Sequence, residues 1–344
     1  MLLCASAFGA NNKKLTKEDI IQQLLPKTPQ QMKQSGYGKA PINIALCKYW
    51  GKRNKELNLP QTSSISIALP YYTTTTISIA QDKDRIFLNG KEVSLDSEFG
   101  RRTIDFLNLI RQNKNIFLKI ETNNDLPTSA GLASSASGFA AFVIALNDIF
   151  NWNLTNEKLS ILARMGSGSA ARSIPPGFVY WQAGKKADGT DSYATEMVSK
   201  GWDNLMVGVI VVSDESKDIS SRDGMNLAKN TSPFYKAWVE KSNVDITKMK
   251  SAIKAHDIIT VGEIAESNAL AMHVTAITSW PPLLYWSEQT ISIMNKVWKL
   301  RNDKQADIYF TIDAGANVFL LFEAKDEAIV RKYLPQAKIV NVLF

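Results

Sequence analysis

The run NDLPTSAGLASSASG, residues 124–138, places small and hydroxyl-bearing side chains between two segments of different periodicity. Before it, the mostly apolar residues 116–120 are followed by polar ones, which predicts a strand. After it, apolar side chains recur at steps of three and four over residues 139–150, which predicts an amphipathic helix. The run is therefore expected to turn from a strand into a helix N-terminus.

This turn is suited to holding a phosphate group. A helix N-terminus offers unpaired N–H groups and a partial positive charge. Gly131 lets the backbone approach an anion closely, and Ser134 and Ser135 add hydroxyl donors at the first turn. A tight turn with small residues for packing is the alternative for this run taken alone. The run is neither a P-loop nor a dinucleotide fingerprint.

The composition is that of a globular protein. The chain has 344 residues, 45% of them hydrophobic and 21% charged, which suits a large core in one or two domains. The net charge of +7 comes from scattered lysines and arginines. Without a basic block, this charge suits small anionic ligands as well as nucleic acid.

Metal centres, disulfide frameworks and membrane spans are not expected. The two cysteines, Cys4 and Cys47, and the two histidines, His256 and His273, are too few for a Cys/His metal site, and no metal-binding residue is predicted. Residues 1–10 are apolar but lack the basic start of a signal peptide, and no run has the length of a membrane span. A cytoplasmic enzyme is expected, with neither a nucleic-acid nor a membrane partner.

The order of the elements predicts an α+β fold in two parts. Residues 1–33 are interpreted as a polar tail with one short helix near residues 17–25 and little apolar surface to bury. Deletion of residues 1–30 is therefore expected to leave activity and melting temperature nearly unchanged. Domains are placed at residues 34–203 and 204–344. Strands and helices mix without the regular alternation of a doubly wound sheet.

The expected elements follow from periodicity and turn signals. The Asn89-Gly90 pair after the strand at 85–88 predicts a hairpin. Further strands are expected at residues 64–69, 73–80, 178–181, 204–213, 308–312 and 318–322. Helices are expected at residues 99–109, 226–239, 246–255, 258–272 and 284–301.

Three other segments carry side chains suited to chemistry. In residues 43–53, Tyr49 and Lys52 are suited to phosphate oxygens, although a solvated basic edge is equally consistent. In residues 166–172, two glycines and two serines precede Arg172, whose planar fork suits a carboxylate or phosphate. A helix N-cap followed by a surface arginine is the alternative there.

The third segment is residues 311–317, TIDAGAN, in which Asp313 lies between apolar strand residues and a glycine turn. A single carboxylate at the end of a buried strand is a candidate base. Capping of the next element is the other interpretation. Asp313 and Arg172 are both expected to face a cleft rather than the core.

Together these segments resemble the diphosphomevalonate decarboxylases of the GHMP kinase superfamily. Residues 40–53 resemble the opening motif of that family, 127–136 its phosphate loop and 166–172 its substrate loop. The resemblance extends over residues 39–322 and includes these further matches: 59–66, 220–225, 266–268, His273, 281–282 and 313–315.

The resemblance implies a GHMP-kinase-like fold with the active site in a cleft between the two halves. It also implies ATP- and Mg²⁺-dependent conversion of mevalonate 5-diphosphate to isopentenyl diphosphate, ADP, phosphate and CO₂ in the mevalonate pathway. Asp313 is then expected to face the substrate hydroxyl, and Arg172 to hold the substrate carboxylate. Homodimers are common in the family, although no pattern in this sequence identifies an interface.

The same resemblance assigns the binding residues. The residues expected to bind the substrate are Tyr49, Trp50, Gly51, Lys52, Arg102, Ser167, Gly168, Ser169, Ala170, Ala171 and Arg222. Those expected to bind ATP are Gly131, Leu132, Ala133, Ser134 and Ser135, with Ser135 nearest Mg²⁺ or the transferred phosphoryl group.

Other activities stay open. A related enzyme would decarboxylate mevalonate 5-phosphate, or would act as a mevalonate 3-kinase and stop at the 3-phosphate. A non-catalytic nucleic-acid-binding protein is the alternative from another class, suggested by net charge. The joint presence of Asp313, Arg172 and Lys52 favours the decarboxylase over the kinase and the binding protein.

Overall fold

The first half is built around one long strand of a seven-stranded sheet. The computed structural model describes residues 15–28, 30–111, 113, 115–125, 134–197, 201–213 and 219–342. The elements of this half are β1 (Ser35–Cys47), β4 (Ser64–Ala80), β5 (Arg85–Leu88), β6 (Lys91–Val93), β7 (Phe117–Asn124), β8 (Phe178–Trp181) and β9 (Ala194–Met197). The order is β6-β5-β7-β4-β8-β9, and β1 pairs antiparallel with β4.

The two strands expected at 64–69 and 73–80 are one continuous strand, β4. Pro70 between them has no N–H to donate, so the sequence suggests a break there. Instead, the ladder with β1 shifts register between Pro41 and Asn43, opposite this point, and the strand continues. The hairpin at Asn89-Gly90 is confirmed, since Leu88 pairs with Lys91.

Helices α1 (Lys17–Leu24), α2 (Glu98–Ile110), α3 (Ser134–Ile149) and α4 (Asn156–Gly166) pack with this sheet around the first core. The core contains Phe106 from α2, Phe139 from α3 and Leu162 from α4. The strand β7 and the helix α3 confirm the elements expected on either side of the phosphate turn. Residues 126–133 of that turn lie outside the described residues.

The N-terminal segment is more than a polar tail. The short helix expected there is confirmed as α1, but the expectation that it has little apolar surface to bury is wrong. Ile20 and Ile21 are completely buried, and Leu24 and Leu25 are at most 7% exposed. These four residues lie on one face because their spacing follows the helical period, and that face packs into the first core.

The second half contains a four-stranded antiparallel sheet in the order β11-β12-β10-β13. Its strands are β10 (Leu205–Ile210), β11 (Tyr309–Ile312), β12 (Val318–Glu323) and β13 (Lys338–Asn341), and its helices are α5 (Ser221–Thr231), α6 (Tyr235–Lys254), α7 (Ile258–Ile277), α8 (Glu288–Asn302) and α9 (Glu327–Tyr333). Helices α6 and α7 pack on one face of the sheet, and α8 and α9 pack on the other. None of the helices in the described ranges is long and apolar enough to cross a membrane.

Two helices were expected at 226–239 and 246–255, but the boundary between them is wrong. The break falls at Ser232-Pro233, where proline disfavours a helical preceding residue, and α6 then runs unbroken to Lys254. Its polar middle suggests a loop, but Ser242 and Asp245 are buried. The side-chain amide of Asn268 in α7 donates to both, at 3.3 Å to Ser242 and 2.8 Å to Asp245.

One core joins the two halves. It contains Ile42 and Ile44 from β1 together with Val207 from β10, Val261 from α7 and Phe319 from β12. The segment that follows β1 consequently lies against the helices of the second half.

Candidate active site

The chain between β1 and the short strand β2 (Lys52–Asn54, paired with β3, Leu59–Pro60) is held by buried contacts. Trp50 is 1% exposed, and its indole N–H donates to Thr275 Oγ1 at 2.9 Å. The Tyr235 hydroxyl donates to the Trp50 carbonyl at 3.0 Å. Gly51 has φ +118°, and an added Cβ would lie 1.7 Å from that hydroxyl. Trp50 and Gly51 therefore fix the backbone that presents Tyr49 and Lys52.

A buried lysine pairs with the carboxylate identified in the sequence. Lys48 Nζ lies 2.6 Å from Asp313 Oδ1, and the lysine side chain is 2% exposed whereas that of Asp313 is 38% exposed. Nζ also donates to the Ala45 carbonyl at 2.8 Å. Burial lowers the pKa of Lys48, and the adjacent Asp313 opposes that shift. An ammonium this close favours the ionised form of the carboxylate.

His273 fixes the backbone of Asp313. Its Nε2 lies 3.1 Å from the Asp313 carbonyl, which can only accept, so Nε2 carries the proton. Burial, assisted by Lys48, lowers the pKa of His273 to about 3. The ring is therefore neutral at physiological pH and positions the acid without adding a charge.

Arg172 projects from the 3-10 helix Gly168–Ser173 into a buried position beside this pair. It is 4% exposed; Nε donates to Asn43 Oδ1 at 3.2 Å and Nη1 to Ser64 Oγ at 2.9 Å. Burial lowers its pKa to about 10, and the Asp313 charge opposes that shift. The guanidinium is thus charged at neutral pH and is not a surface arginine. The expectation that it faces a cleft and not the core is corrected by this burial.

A cationic pocket that includes Lys52 has a volume of about 280 Å³. Its charged lining is Lys17, Lys52, Lys55, Arg102, Arg222, Glu56 and Asp105. Lys52 Nζ donates to Asn58 Oδ1 at 2.7 Å, and Arg102 Nη2 contacts the Gly166 carbonyl at 3.4 Å. Burial, with Arg222 and Arg102 next in effect, lowers the pKa of Lys52 to about 8. The pocket lining contains five cationic side chains and two carboxylates, so it is suited to an anionic ligand.

Tyr49 lies between Lys48 and Lys52 in the chain, and the charges of Arg172 and Arg222 both act on its hydroxyl. The ring packs on Trp181 with centroids 4.8 Å apart. Its buried hydroxyl has no hydrogen-bond partner among the described residues, and burial raises its pKa. An added Cβ on Gly168 would lie 2.5 Å from that hydroxyl. Tyr49 is therefore a neutral phenol available to donate to a ligand.

The other expected substrate residues lie around the same centre in different surroundings. Ser167 is 9% exposed at the end of α4, and Ser169 is half-buried. Ala170 and Ala171 are completely buried, so their side chains pack into the cores. Because alanine has no polar side-chain atom, only their backbones can contact a ligand.

The expected ATP site is described only in part. Gly131, Leu132 and Ala133 lie outside the described residues, and Ser134 begins α3 without a described side chain. Ser135, in the first turn of α3, is exposed. Within the part of the chain that the structure describes, no group of three or more His, Cys, Asp or Glu side chains could hold a metal.

Sequence reasoning missed two lysines. Lys48 lies within residues 43–53, but no role was predicted for it. A lysine that ends an apolar run indicates a buried lysine, which needs a partner. Lys17 was part of the presumed tail. Nothing in its local sequence indicates the pocket, because the contact depends on how α1 packs.

Two family models match this chain. Residues 40–194 match the family model described as "Diphosphomevalonate decarboxylase-like N-terminal domain". Residues 207–341 match the model described as "Mevalonate 5-diphosphate decarboxylase C-terminal domain".

Individual relatives are similar over most of their length. The diphosphomevalonate decarboxylase of Debaryomyces hansenii is 35% identical over 312 residues, covering 85% of this chain and 80% of that protein. Mevalonate diphosphate decarboxylase from Staphylococcus aureus has a TM-score of 0.84 at 36% identity, covering 90% of this chain and 96% of that one. A structure described as "MDDEF in complex with MVAPP, AMPPCP and Magnesium" has a TM-score of 0.84 at 40% identity, covering 90% and 97% of the chains.

Proposed function

The chain belongs to the diphosphomevalonate decarboxylase family and is an ATP-dependent decarboxylase of mevalonate 5-diphosphate; we propose that Asp313, Lys48 and Arg172 form its catalytic centre. The observation that carries the assignment of residues is the ion pair between the buried Lys48 and the partly exposed Asp313, with an Nζ to Oδ1 distance of 2.6 Å. The charges of Arg172 and of this pair affect one another, and Lys52, which follows Lys48 in the same segment, lines the cationic pocket. The substrate has the matching features: a tertiary alcohol and a carboxylate at one end, and a diphosphate at the other.

The first task is to make a tertiary hydroxyl attack the γ-phosphoryl group of ATP. Asp313 is the partly exposed member of the ion pair, so its carboxylate can accept a hydrogen bond from that hydroxyl. Lys48 Nζ holds one oxygen of the carboxylate, and His273 holds the backbone carbonyl. Asp313 therefore orients the hydroxyl and receives its proton as the new O–P bond forms and the bond between the γ-phosphorus and ADP breaks.

The second task is to break the bond to the carboxylate. When the 3-phosphate leaves with the C–O electron pair, positive charge develops at C3, and the electrons of the C–CO₂⁻ bond form the new double bond. Arg172 is held by Asn43 and Ser64 at two of its nitrogens, so the orientation of the guanidinium is fixed before it binds the substrate carboxylate. After Asp313 has passed the proton to solvent through its exposed side, its negative charge can stabilise the positive charge that develops on C3.

The diphosphate end fits the cationic pocket. Lys52, Arg102 and Arg222 supply charge, and the Tyr49 hydroxyl supplies a neutral donor between the pocket and the centre. Mg²⁺ prefers oxygen ligands and is commonly held by substrate phosphates with few protein groups, which fits the exposed Ser135 hydroxyl. The ion would neutralise charge on the transferred phosphoryl group.

One assay tests this assignment: purified protein, Mg-ATP and mevalonate 5-diphosphate, with ADP and CO₂ measured together. Equal amounts of the two products are expected. ADP without CO₂, together with a stable 3-phosphorylated product, would identify a kinase. Turnover of mevalonate 5-phosphate at equal kcat/KM would identify the monophosphate decarboxylase instead; we expect the diphosphate to be preferred by roughly ten- to a hundredfold, since each charged hydrogen bond contributes about 1.5–3 kcal/mol.

A homodimer is proposed from the family resemblance alone, and a cytoplasmic location is proposed from the sequence patterns described above. Light scattering on the purified protein, with and without substrate, tests the oligomeric part of this proposal. A monomer in both conditions would contradict it.

A further inference from the structure

Helix α1 brings a lysine to the substrate pocket from outside the matched family region. The match to the N-terminal family model begins at residue 40, whereas Lys17 of α1 lines the cationic pocket together with Lys52, Arg102 and Arg222. Its ammonium lies 5.7 Å from the Phe106 ring centroid, and Phe106 lines the same pocket.

The position of Lys17 is set by packing. A capping box starts the helix: the Thr16 side chain accepts from the Asp19 N–H, and the Asp19 carboxylate accepts from the Thr16 N–H. One turn further on, Ile20 and Ile21 are completely buried in the first core. A lysine on a helix held in this way loses little additional freedom when it binds a ligand.

The charge of Lys17 is unbalanced in the free protein. Within the described ranges no carboxylate lies within 4.0 Å of the ammonium of Lys17 or of Lys52. Burial, followed by repulsion from Arg222 and Arg102, lowers the pKa of Lys17 to about 8. The charges of Glu56 and Asp105 raise the pKa but only partly offset this lowering. An anion of high charge density would relieve repulsion among all of these cations.

We propose that Lys17 is a specificity-determining residue that binds the terminal phosphoryl group of the 5-diphosphate. This inference rests on the proposed function, because it assigns the diphosphate to the cationic pocket. Lys17 adds a cation that a monophosphate would leave without a partner. The N-terminal helix thereby takes part in substrate discrimination as well as in folding.

The test compares Lys17→Met with the matched control Lys27→Met. Both variants remove one positive charge from the N-terminal segment, but Lys27 is exposed and does not line the pocket. For Lys17→Met we expect KM for mevalonate 5-diphosphate to rise about tenfold with little change in kcat, the signature of lost uniform binding. The ratio of kcat/KM for mevalonate 5-diphosphate to that for mevalonate 5-phosphate should fall by the same factor. In Lys17→Arg most of this preference for the diphosphate should be retained.

Inorganic pyrophosphate provides a second readout that needs no turnover. Pyrophosphate should raise the melting temperature less in Lys17→Met than in Lys27→Met. With orthophosphate, the difference between the two variants in this increase should be smaller. If Lys17→Met matches Lys27→Met in both experiments while Lys52→Met loses diphosphate selectivity, the role of Lys17 is refuted and the function stands. If the wild type does not turn over the diphosphate, the function fails, and the pyrophosphate measurement still decides whether Lys17 binds a diphosphate.

Discussion

At the scale of single residues, the candidate site consists of charges whose burial differs by position. Lys48 is enclosed, and its partner Asp313 is partly exposed, so the pair has a structural side and a reactive side. Arg172 is enclosed as well, but two of its nitrogens are held by neutral oxygens. Among the described residues no carboxylate forms a direct ion pair with Arg172. Its positive charge is therefore available to a substrate carboxylate.

Removing the Asp313 charge should cost both activity and stability. Asp313→Asn is expected to lower kcat by a factor of roughly a hundred or more. It should also lower the urea midpoint, because the buried Lys48 ammonium loses its counter-charge. Adding Lys48→Met should restore part of the stability without restoring turnover. Wild-type turnover in Asp313→Asn would rule out the role given to this carboxylate.

The pocket lysines should make substrate capture sensitive to alkaline pH. The pKa values of Lys52 and Lys17 are lowered to about 8, so both are charged well below pH 8 and lose their charge above it. The value of kcat/KM, which reports on the free enzyme, should therefore fall as the pH rises through about 8.

In Lys52→Arg this alkaline decline should become shallower, because the guanidinium stays charged. An identical pH profile of kcat/KM in wild type and Lys52→Arg would show that another group causes the decline.

The free energy of unfolding should change with pH in the opposite direction. A lysine pKa lowered on folding means that the unfolded chain binds more protons between about pH 8 and 10.5, so this contribution to stability rises with pH in that window.

At the scale of elements, α1 is the part whose importance the sequence conceals. It contains three hydrophobic residues, Ile20, Ile21 and Leu24, among polar ones, and only their common face shows that they form a packing surface. The same helix carries Lys17 into the cationic pocket. Packing and ligand binding are thus combined in eight residues.

The N-terminal helix should therefore contribute measurably to stability. Ile21→Ala is expected to lower the free energy of unfolding by about 2–5 kcal/mol, the usual cost of emptying a fully buried site. Gln23→Ala, at an exposed position of the same helix, should change it by less than about 0.5 kcal/mol. Chemical denaturation followed by fluorescence measures both. If Ile21→Ala resembles Gln23→Ala, α1 is not part of the cooperative core.

At the scale of the whole molecule, the two halves share a core in which β1 packs with β10, β12 and α7. The Lys48–Asp313 pair also bridges the halves, and it joins residues 265 positions apart in sequence. The domain division at residue 203 stays a prediction. The shared core indicates that each half depends on the other for burial of its apolar surface.

The protein should therefore unfold in one transition. In calorimetry we expect one peak with equal calorimetric and van't Hoff enthalpies. A fragment of residues 204–344 should show no cooperative unfolding, because the contacts of Val207 and Phe319 with β1 would be exposed to water. Two separate transitions, or a cooperatively folded fragment, would establish independent domains.

Short-range patterns were sufficient to predict many of the local elements and the family. The hairpin at Asn89-Gly90, the strand before the phosphate turn and the helix after it follow from short-range periodicity and turn chemistry, so they were predictable. Asp313 and Arg172 stood in segments whose joint resemblance indicated the reaction. The polar middle of α6 was misinterpreted because Ser242 and Asp245 find their partner in α7, which no local pattern reveals.

Which charged side chains come into contact depends on the packing of distant segments. Lys48 became a candidate for the catalytic centre because folding buries it against a carboxylate 265 positions away. Lys17 joined the anion pocket because Ile20 and Ile21 anchor its helix in the core. In both cases the local sequence specifies a charge and a periodicity, but burial and the approach of distant segments determine its partner and its pKa. Those quantities arise from the packing of the whole chain.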